Sequence, residues 1–367
     1  MTSKKNPYKN KCKIAMLPFL QGSNHYSALI VGILNKLGYD TVPTTPAPWS
    51  PLKIFDDPSV DLVFLYWLHP LYRGRTALHT AIKSLVFLWV SKKLKKKKFI
   101  YSVENYYPHD CSFKILDRFF VNLICRKASA ILCTSQTSKE RFVLHFPRLK
   151  NHNYYIIPHP SYGVIYENCR VDRTTARASL NIPDNATACL YLGLLRPYKG
   201  VPDLIHLYSK IASSNDYLII CGQPVNKSAA KKISNCIESL PSKIKEQIRF
   251  LDRFLEDEDL PKYFAAADFF ATNYVVEPAN PGSPILAMTF GLPIYAAHTG
   301  SLPEIVGAEN MYGYDPSCYQ SRQITLRRAF CDTEKTEKRD RLLKKIESRH
   351  SVENLAPLYK NLLGENI

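Results

Sequence analysis

The sequence predicts an α/β protein of two domains, each a parallel sheet covered by helices on both faces. Its 367 residues exceed one ordinary hydrophobic core and suit two of roughly 150–180 residues each. Short apolar runs rich in β-branched and aromatic residues alternate with stretches of helical period, and this series occurs twice with a polar segment between. Hydrophobic residues make up 46% and charged residues 22%, a balance that excludes an intrinsically disordered chain.

In the first series the strand candidates are 13–20, 60–67, 99–103, 130–134 and 154–158. Each ends in a loop with polar or aromatic residues, and sheets of this kind bind ligands where their strands end. That draws attention to Gly22, His25 and Tyr26 after the first run, Glu104, His109 and Asp110 after the third, and His159 after the last. A lone histidine is more often structural, so His25 and His159 are weighed against a packing role. Between 161 and 185 the apolar period lapses into polar, arginine-bearing sequence, and a second series follows at 188–195, 217–221, 248–251, 268–272 and 293–297. The expected boundaries are a first domain over 1–165, a linker over 166–185, a second domain over 186–340, and terminal helices over 341–367 whose return onto the first domain is left open.

The net charge of +17 calls for an anionic partner or surface. Nucleic acid, anionic lipid and phosphorylated substrates all satisfy it, but no nucleic-acid motif occurs and no specific nucleic acid is expected. The densest basic run, 92–98, directly follows an apolar stretch over 81–90 that contains Trp89. The stretch is too short to span a bilayer, yet the segment between Leu85 and Lys98 suits contact with an anionic membrane surface. A core helix followed by a solvated basic turn is the competing reading. The ten cysteines are scattered, without a CxxC pair or metal-ligand spacing, and read as reduced thiols. The polar start of the chain carries no secretion-signal pattern. The expected location is cytoplasmic, peripheral on the cytoplasmic membrane face if the basic helix meets lipid.

Three strand-to-helix turns of the second series carry the chemistry. Residues 191–201 place Arg196 and Lys199 beside a helix start, where a guanidinium fork, a point charge and free backbone N–H groups converge as a diphosphate requires. Residues 277–294 contain Glu277 and Asn280, then Gly282 and Ser283 opening a helix at whose positive end a phosphate is stabilised, and Gly291 closing it. Residues 298–306 form the third turn, with Glu304. Each turn alone has a bland reading as surface charge or capping, whereas three in this order are far more specific.

Taken in that order, these segments resemble the donor half of the GT-B glycosyltransferases, in the large family that includes sucrose-synthase-like and mannosyltransferase enzymes that retain anomeric configuration. The resemblance covers 188–307 well and the first half more loosely. It implies a GT-B architecture, two Rossmann-like parallel-sheet domains facing a central cleft, and a hexosyltransferase that uses a UDP- or GDP-linked sugar as co-substrate. The acceptor it implies is a saccharide or a lipid-linked molecule held by the first domain. By the same resemblance Arg196 and Lys199 grip the donor diphosphate, Glu277 is the first glutamate of a paired motif, and Gly282 and Ser283 cradle phosphate or sugar. Glu304 accepts from a ribose or caps its helix. In the first half, 102–110 resembles a loop in which a histidine faces the sugar, with Glu104 standing where histidine is more usual. Glu104 or Asp110 then deprotonates the acceptor hydroxyl while His109 orients or shares the proton; the alternative for His109 and Asp110 is a capping role. Gly22, His25, Tyr26 and His159 are the residues expected to face acceptor or cleft.

The chain departs from the family pattern in two places. Leu286 stands where the second glutamate is expected, and Gly193-Leu194 replaces a glycine-arginine pair, with the cation displaced to Arg196. The stereochemical outcome is left open. The acidic string Glu256, Asp257, Glu258 and Asp259 reads as helix capping rather than metal ligation, so no metal and no cofactor are expected. An epimerase or phosphorylase on the same fold, or an inactive membrane-associated relative, are the rival readings.

Overall fold

The computed structural model describes residues 12–17, 25–43, 57–74, 76–93, 97–107, 113–169, 171–274 and 279–366. The chain divides into two compact units, residues 1–160 with 352–367, and residues 161–351. The stretch 166–185, read from sequence as a linker, holds the helix Arg173–Ser179 and lies within the second unit. Asp172 starts that helix by accepting from the Thr175 amide at 2.9 Å, a short-range signal available even in polar sequence. The terminal stretch is shared: the helix Lys335–His350 belongs to the second unit and Val352–Asn366 to the first.

In the first unit six strands, β1 (Lys13–Leu17), β2 (Asp40–Pro43), β3 (Leu62–Leu65), β4 (Lys98–Ser102), β5 (Ala130–Cys133) and β6 (Tyr154–Ile156), form one sheet in the order β2-β1-β3-β4-β5-β6. Every pairing is parallel. Leu62 to Leu65 are all buried, as a strand covered on both faces requires. The chain leaves β1 to form β2 on one side and β3 on the other, so the carboxyl ends of β1 and β3 flank a switch point of the kind where such sheets take ligands. The helix His25–Lys36 buries Tyr26, Leu29, Ile30, Ile33 and Leu34, one helical stripe, and Tyr26, Ile30, Ile33 and Leu34 share a core with Leu355, Tyr359 and Leu362. Strand β2 escaped the sequence reading. As an outer strand it pairs with β1 alone, so it needs no continuous apolar run, and an edge tolerates the missing N–H of Pro43.

The second unit holds β7 (Thr187–Leu192), β8 (Asp216–Cys221), β9 (Ile248–Leu251), β10 (Phe269–Ala271), β11 (Ile294–Ala297) and β12 (Met311–Tyr314), all parallel, in the order β12-β11-β10-β7-β8-β9. Its switch point lies between β7 and β10. Strand β12 was also missed, for the same reason: it is an edge, pairs with β11 alone and contains Gly313. The amino ends of β7 and β10 are tied by Asp268, which accepts from the Ala188 amide at 2.7 Å, from Arg177 at 2.7 Å and from Arg173 at 2.5 Å. Arg177 is fully buried and donates its other N–H groups to the carbonyls of Ala266, Pro183, Asp184 and Ala186 at 2.7–3.1 Å. The anchored ends leave the carboxyl ends, with their turns, to carry the chemistry. All nine described cysteines are free thiols, and Cys111 lies outside the described residues.

Candidate functional site

At the carboxyl end of β7 the chain makes a turn that only glycines allow. Gly193 has φ 140°, and a Cβ there would lie 2.9 Å from Lys199 Nζ. Gly222, at the end of β8, approaches so closely that its Cβ would sit 1.9 Å from the Gly193 carbonyl oxygen. Arg196 is extended, a 3-10 turn covers Pro197–Lys199, and Gly200 takes the left-handed conformation, φ 61°, from which the helix Val201–Ile211 begins. Both cations predicted from sequence therefore stand at this helix start.

Lys199 is the electrostatic centre of the site. Burial, and then the charge of Arg196, bring its pKa down from 10.5 to about 8. Its Nζ lies 5.7 Å from the centroid of the Tyr274 ring, and among the described residues no carboxylate pairs with it. Tyr274 in turn shares a 2.7 Å hydrogen bond with Ser283 Oγ, and burial pushes its phenol up to about 12. Ser283 is the second residue of the helix Gly282–Thr289, so the chain Lys199, Tyr274, Ser283 links the two predicted helix starts. Two hydroxyls at this end of the sheet, Tyr191 OH and Ser301 Oγ, are buried with no protein partner. They are donors that a ligand or water would satisfy.

A supporting network holds the first helix start in place. Asn273, just past β10, donates from Nδ2 to the Gly200 carbonyl at 2.8 Å and to Asp203 at 3.0 Å. Arg322 is paired with Asp203 and donates to Asn273 Oδ1 at 2.8 Å, and Tyr314 OH donates to the same oxygen at 3.2 Å. Sequence reasoning missed Asn273, Tyr274, Asp203 and Arg322. The one available signal was position, since Asn273 and Tyr274 directly follow a strand end.

The remaining predicted residues of this unit are less concentrated. Asn280 is half-buried, Glu304 is exposed on the helix Leu302–Val306, and Glu277 lies outside the described residues. Leu286, where a second glutamate was expected, is buried on the inner face of its helix and serves packing. The capping reading of the acidic string is corrected: Asp259 precedes the helix Leu260–Ala266 but makes no cap bond and pairs with Arg253 at 3.1 Å. Asp257 instead accepts from Tyr166 OH at 3.0 Å.

In the first unit the structure brings three predicted residues together and buries them. Glu104, after β4, accepts from Ser102 Oγ at 2.7 Å. The Tyr26 ring lies 4.7 Å from that of His159, which donates from Nδ1 to the Pro160 carbonyl at 2.6 Å. Burial first, and then the Glu104 carboxylate, hold the Tyr26 phenol well above its ordinary range, and Tyr359 feels the same pair of causes. Those phenols stay protonated and can donate toward a ligand or the carboxylate. His25 is half-buried at the start of its helix, while Gly22, His109 and Asp110 lie outside the described residues.

The family described as Glycosyl transferases group 1 matches residues 172–343. D-inositol 3-phosphate glycosyltransferase of Corynebacterium efficiens is 30% identical over 168 residues, 42% of this chain. The chain spans 38% of that relative's length. Among solved structures, Anabaena HepE in complex with UDP-glucose superposes with a TM-score of 0.71 at 17% identity, covering 96% of this chain and 99% of that one. Sucrose-phosphate synthase from Thermosynechococcus elongatus gives 0.71 at 16% identity, covering 96% and 100%. At such identities the likeness is one of fold, and the fold is GT-B.

Proposed function

We propose that this chain, whose residues 172–343 belong to the glycosyl transferases group 1 family, transfers a sugar from a nucleoside-diphosphate sugar to a hydroxyl of a saccharide or lipid-linked acceptor. The observation that carries the reading is Lys199, a half-buried ammonium with a lowered pKa and no carboxylate partner among the described residues, beside Arg196 and two helix starts. A buried cation without a counterion is costly unless an anion completes it.

As the bond from the anomeric carbon to the β-phosphate oxygen breaks, negative charge grows on the leaving diphosphate. Lys199, Arg196 and the N–H groups opening Val201–Ile211 and Gly282–Thr289 stabilise that charge, and this is the main catalytic effect. Gly282 and Ser283 let the phosphate approach, while Glu277, Asn280 and Glu304 hold sugar and ribose hydroxyls. In the first unit Glu104 or Asp110 takes the proton from the acceptor hydroxyl, with His109 sharing it, and Gly22, His25, Tyr26 and His159 bind the acceptor. The cations replace a divalent metal, so the reaction is metal-independent. No helix among the described residues is long and apolar enough to cross a membrane. The chain works in the cytoplasm at an anionic membrane face, which it meets through 85–98.

HepE has been solved with UDP, which makes UDP the first nucleotide to test and GDP the second. Calorimetric titration with each should give a single site in the micromolar range or tighter, lost in Lys199→Ala. Product analysis with donor, with and without candidate acceptors, should then show transfer rather than rearrangement of the donor. Failure of both nucleotides to bind would sink the reading.

A further inference from the structure

We infer that a groove on the first unit binds the phosphate-bearing headgroup of an anionic phospholipid, so that the chain meets a bilayer with two helices and a headgroup site rather than through one basic segment. This rests on the membrane reading above.

The helix Ala77–Lys93 is apolar on the wrong side. Thr80, Phe87 and Ser91 are buried on one stripe, while Leu78, Ile82, Leu85 and Trp89 at i, i+4, i+7 and i+11 run almost opposite, with Leu78 72% and Leu85 69% exposed. An outward apolar stripe of this length marks an interaction surface. The neighbouring helix Lys114–Cys125 packs on it through Phe87 and Phe120, ring centroids 5.4 Å apart. Lys127, just beyond, donates to the Ser91 carbonyl at 2.8 Å. This second helix also turns apolar groups outward: Ile115 is 89% exposed and Phe119 51%.

Here the surface changes from apolar to cationic. A groove of about 920 Å³ is lined by Ile115 and Phe119 together with Arg118, Arg126, Lys127 and Arg148, and none of the described residues lining it is a carboxylate. Among the described residues the guanidinium groups of Arg118, Arg126 and Arg148 form no ion pair, in contrast to Arg73 nearby, which is paired with buried Asp117. Asn122, in the same groove, leaves Oδ1 buried without a partner, an acceptor for a headgroup hydroxyl. Apolar side chains that enter the acyl boundary, an interfacial tryptophan, and guanidinium forks at headgroup level match a bilayer's own layering. An acidic protein partner would match the charge but leave the Leu78, Leu85 and Trp89 stripe without a reason.

The test is flotation with phosphatidylcholine vesicles and with mixed phosphatidylcholine–phosphatidylglycerol vesicles. The unmodified chain should favour the anionic vesicles at least ~10-fold, and Arg118→Glu/Arg148→Glu should remove that preference, by ~10-fold or more in partitioning. Leu85→Glu/Trp89→Glu should weaken binding to both vesicle types. Circular dichroism and UDP binding should be unchanged in both variants, which separates docking from folding and from the nucleotide site. Undiminished binding of the arginine variant to anionic vesicles would overturn the headgroup site while leaving the membrane reading standing. No vesicle binding by the unmodified chain would overturn both. Self-association abolished by Leu85→Glu/Trp89→Glu, without vesicle binding, would assign the face to a second copy and also overturn the proposal.

Discussion

Replacing Lys199 with methionine should strengthen the fold and disable the anion site in one step. The pKa of the free ammonium falls from 10.5 to about 8, chiefly through burial and then through Arg196. That difference corresponds to about 3 kcal/mol against the charged form, an upper bound because the cation keeps some solvent and lies near the Tyr274 ring. The folded pKa lies below the unfolded one, so between about pH 8 and pH 10.5 the unfolded chain holds the extra proton. The penalty is therefore full below about pH 8 and is relieved as pH rises through that window. Methionine keeps much of the stem's volume and removes the charge, so the variant should gain about 1–3 kcal/mol at neutral pH. The gain should appear as a higher denaturant midpoint at unchanged slope, and should fade in alkali where the lysine is already neutral. In the same variant UDP should bind about 10- to 100-fold more weakly, since a charge-assisted contact to phosphate contributes about 1.5–3 kcal/mol. A variant less stable than the parent at neutral pH, or one that keeps its UDP affinity, would refute the assignment of Lys199 as an uncompensated cation.

Other outcomes follow from the same geometry. UDP affinity measured by calorimetry should be level up to about pH 8 and fall about tenfold by pH 9, because only the ammonium form of Lys199 offers its charge. Tyr274→Phe keeps the ring under Lys199 but deletes the bond to Ser283, and should weaken UDP by about 3- to 10-fold with the melting temperature nearly unchanged. Asp268→Asn strands the buried Arg177 and should cost the second unit about 3–5 kcal/mol, seen in denaturant titration, without altering the nucleotide contacts directly. EDTA should leave turnover unchanged; loss of turnover restored by magnesium would show that Arg196 and Lys199 do not suffice for the diphosphate.

The strands that sequence made plain are those buried on both faces. Leu62 to Leu65 or Phe269 to Ala271 must be apolar at every position, and that run is visible without any partner. The edges β2 and β12 lack the requirement, so Asp40, Pro43 and Gly313 disguised them. The site divides the same way. Arg196, Lys199, Gly282 and Ser283 sit at local strand-to-helix turns and could be read in order. Arg322 reaches Asp203 across 119 residues of chain, and no local pattern announces such a partner. Glu104 was visible as a loop carboxylate, but its burial beside Tyr26 and His159 depends on elements far apart in sequence.

The chain enters the second unit at Ser161 and leaves it at Ser351, and the Ser161 amide donates to the His350 carbonyl at 2.8 Å, so entry and exit run side by side. That unit is consequently a cassette. Excising 161–351 in one piece and splicing Pro160 to Val352 through a short flexible tether should leave the first sheet with its own closing helix. A plain truncation after 351 does the opposite: it strips Leu355, Tyr359 and Leu362 from the core they share with the His25–Lys36 helix and leaves apolar surface bare to water.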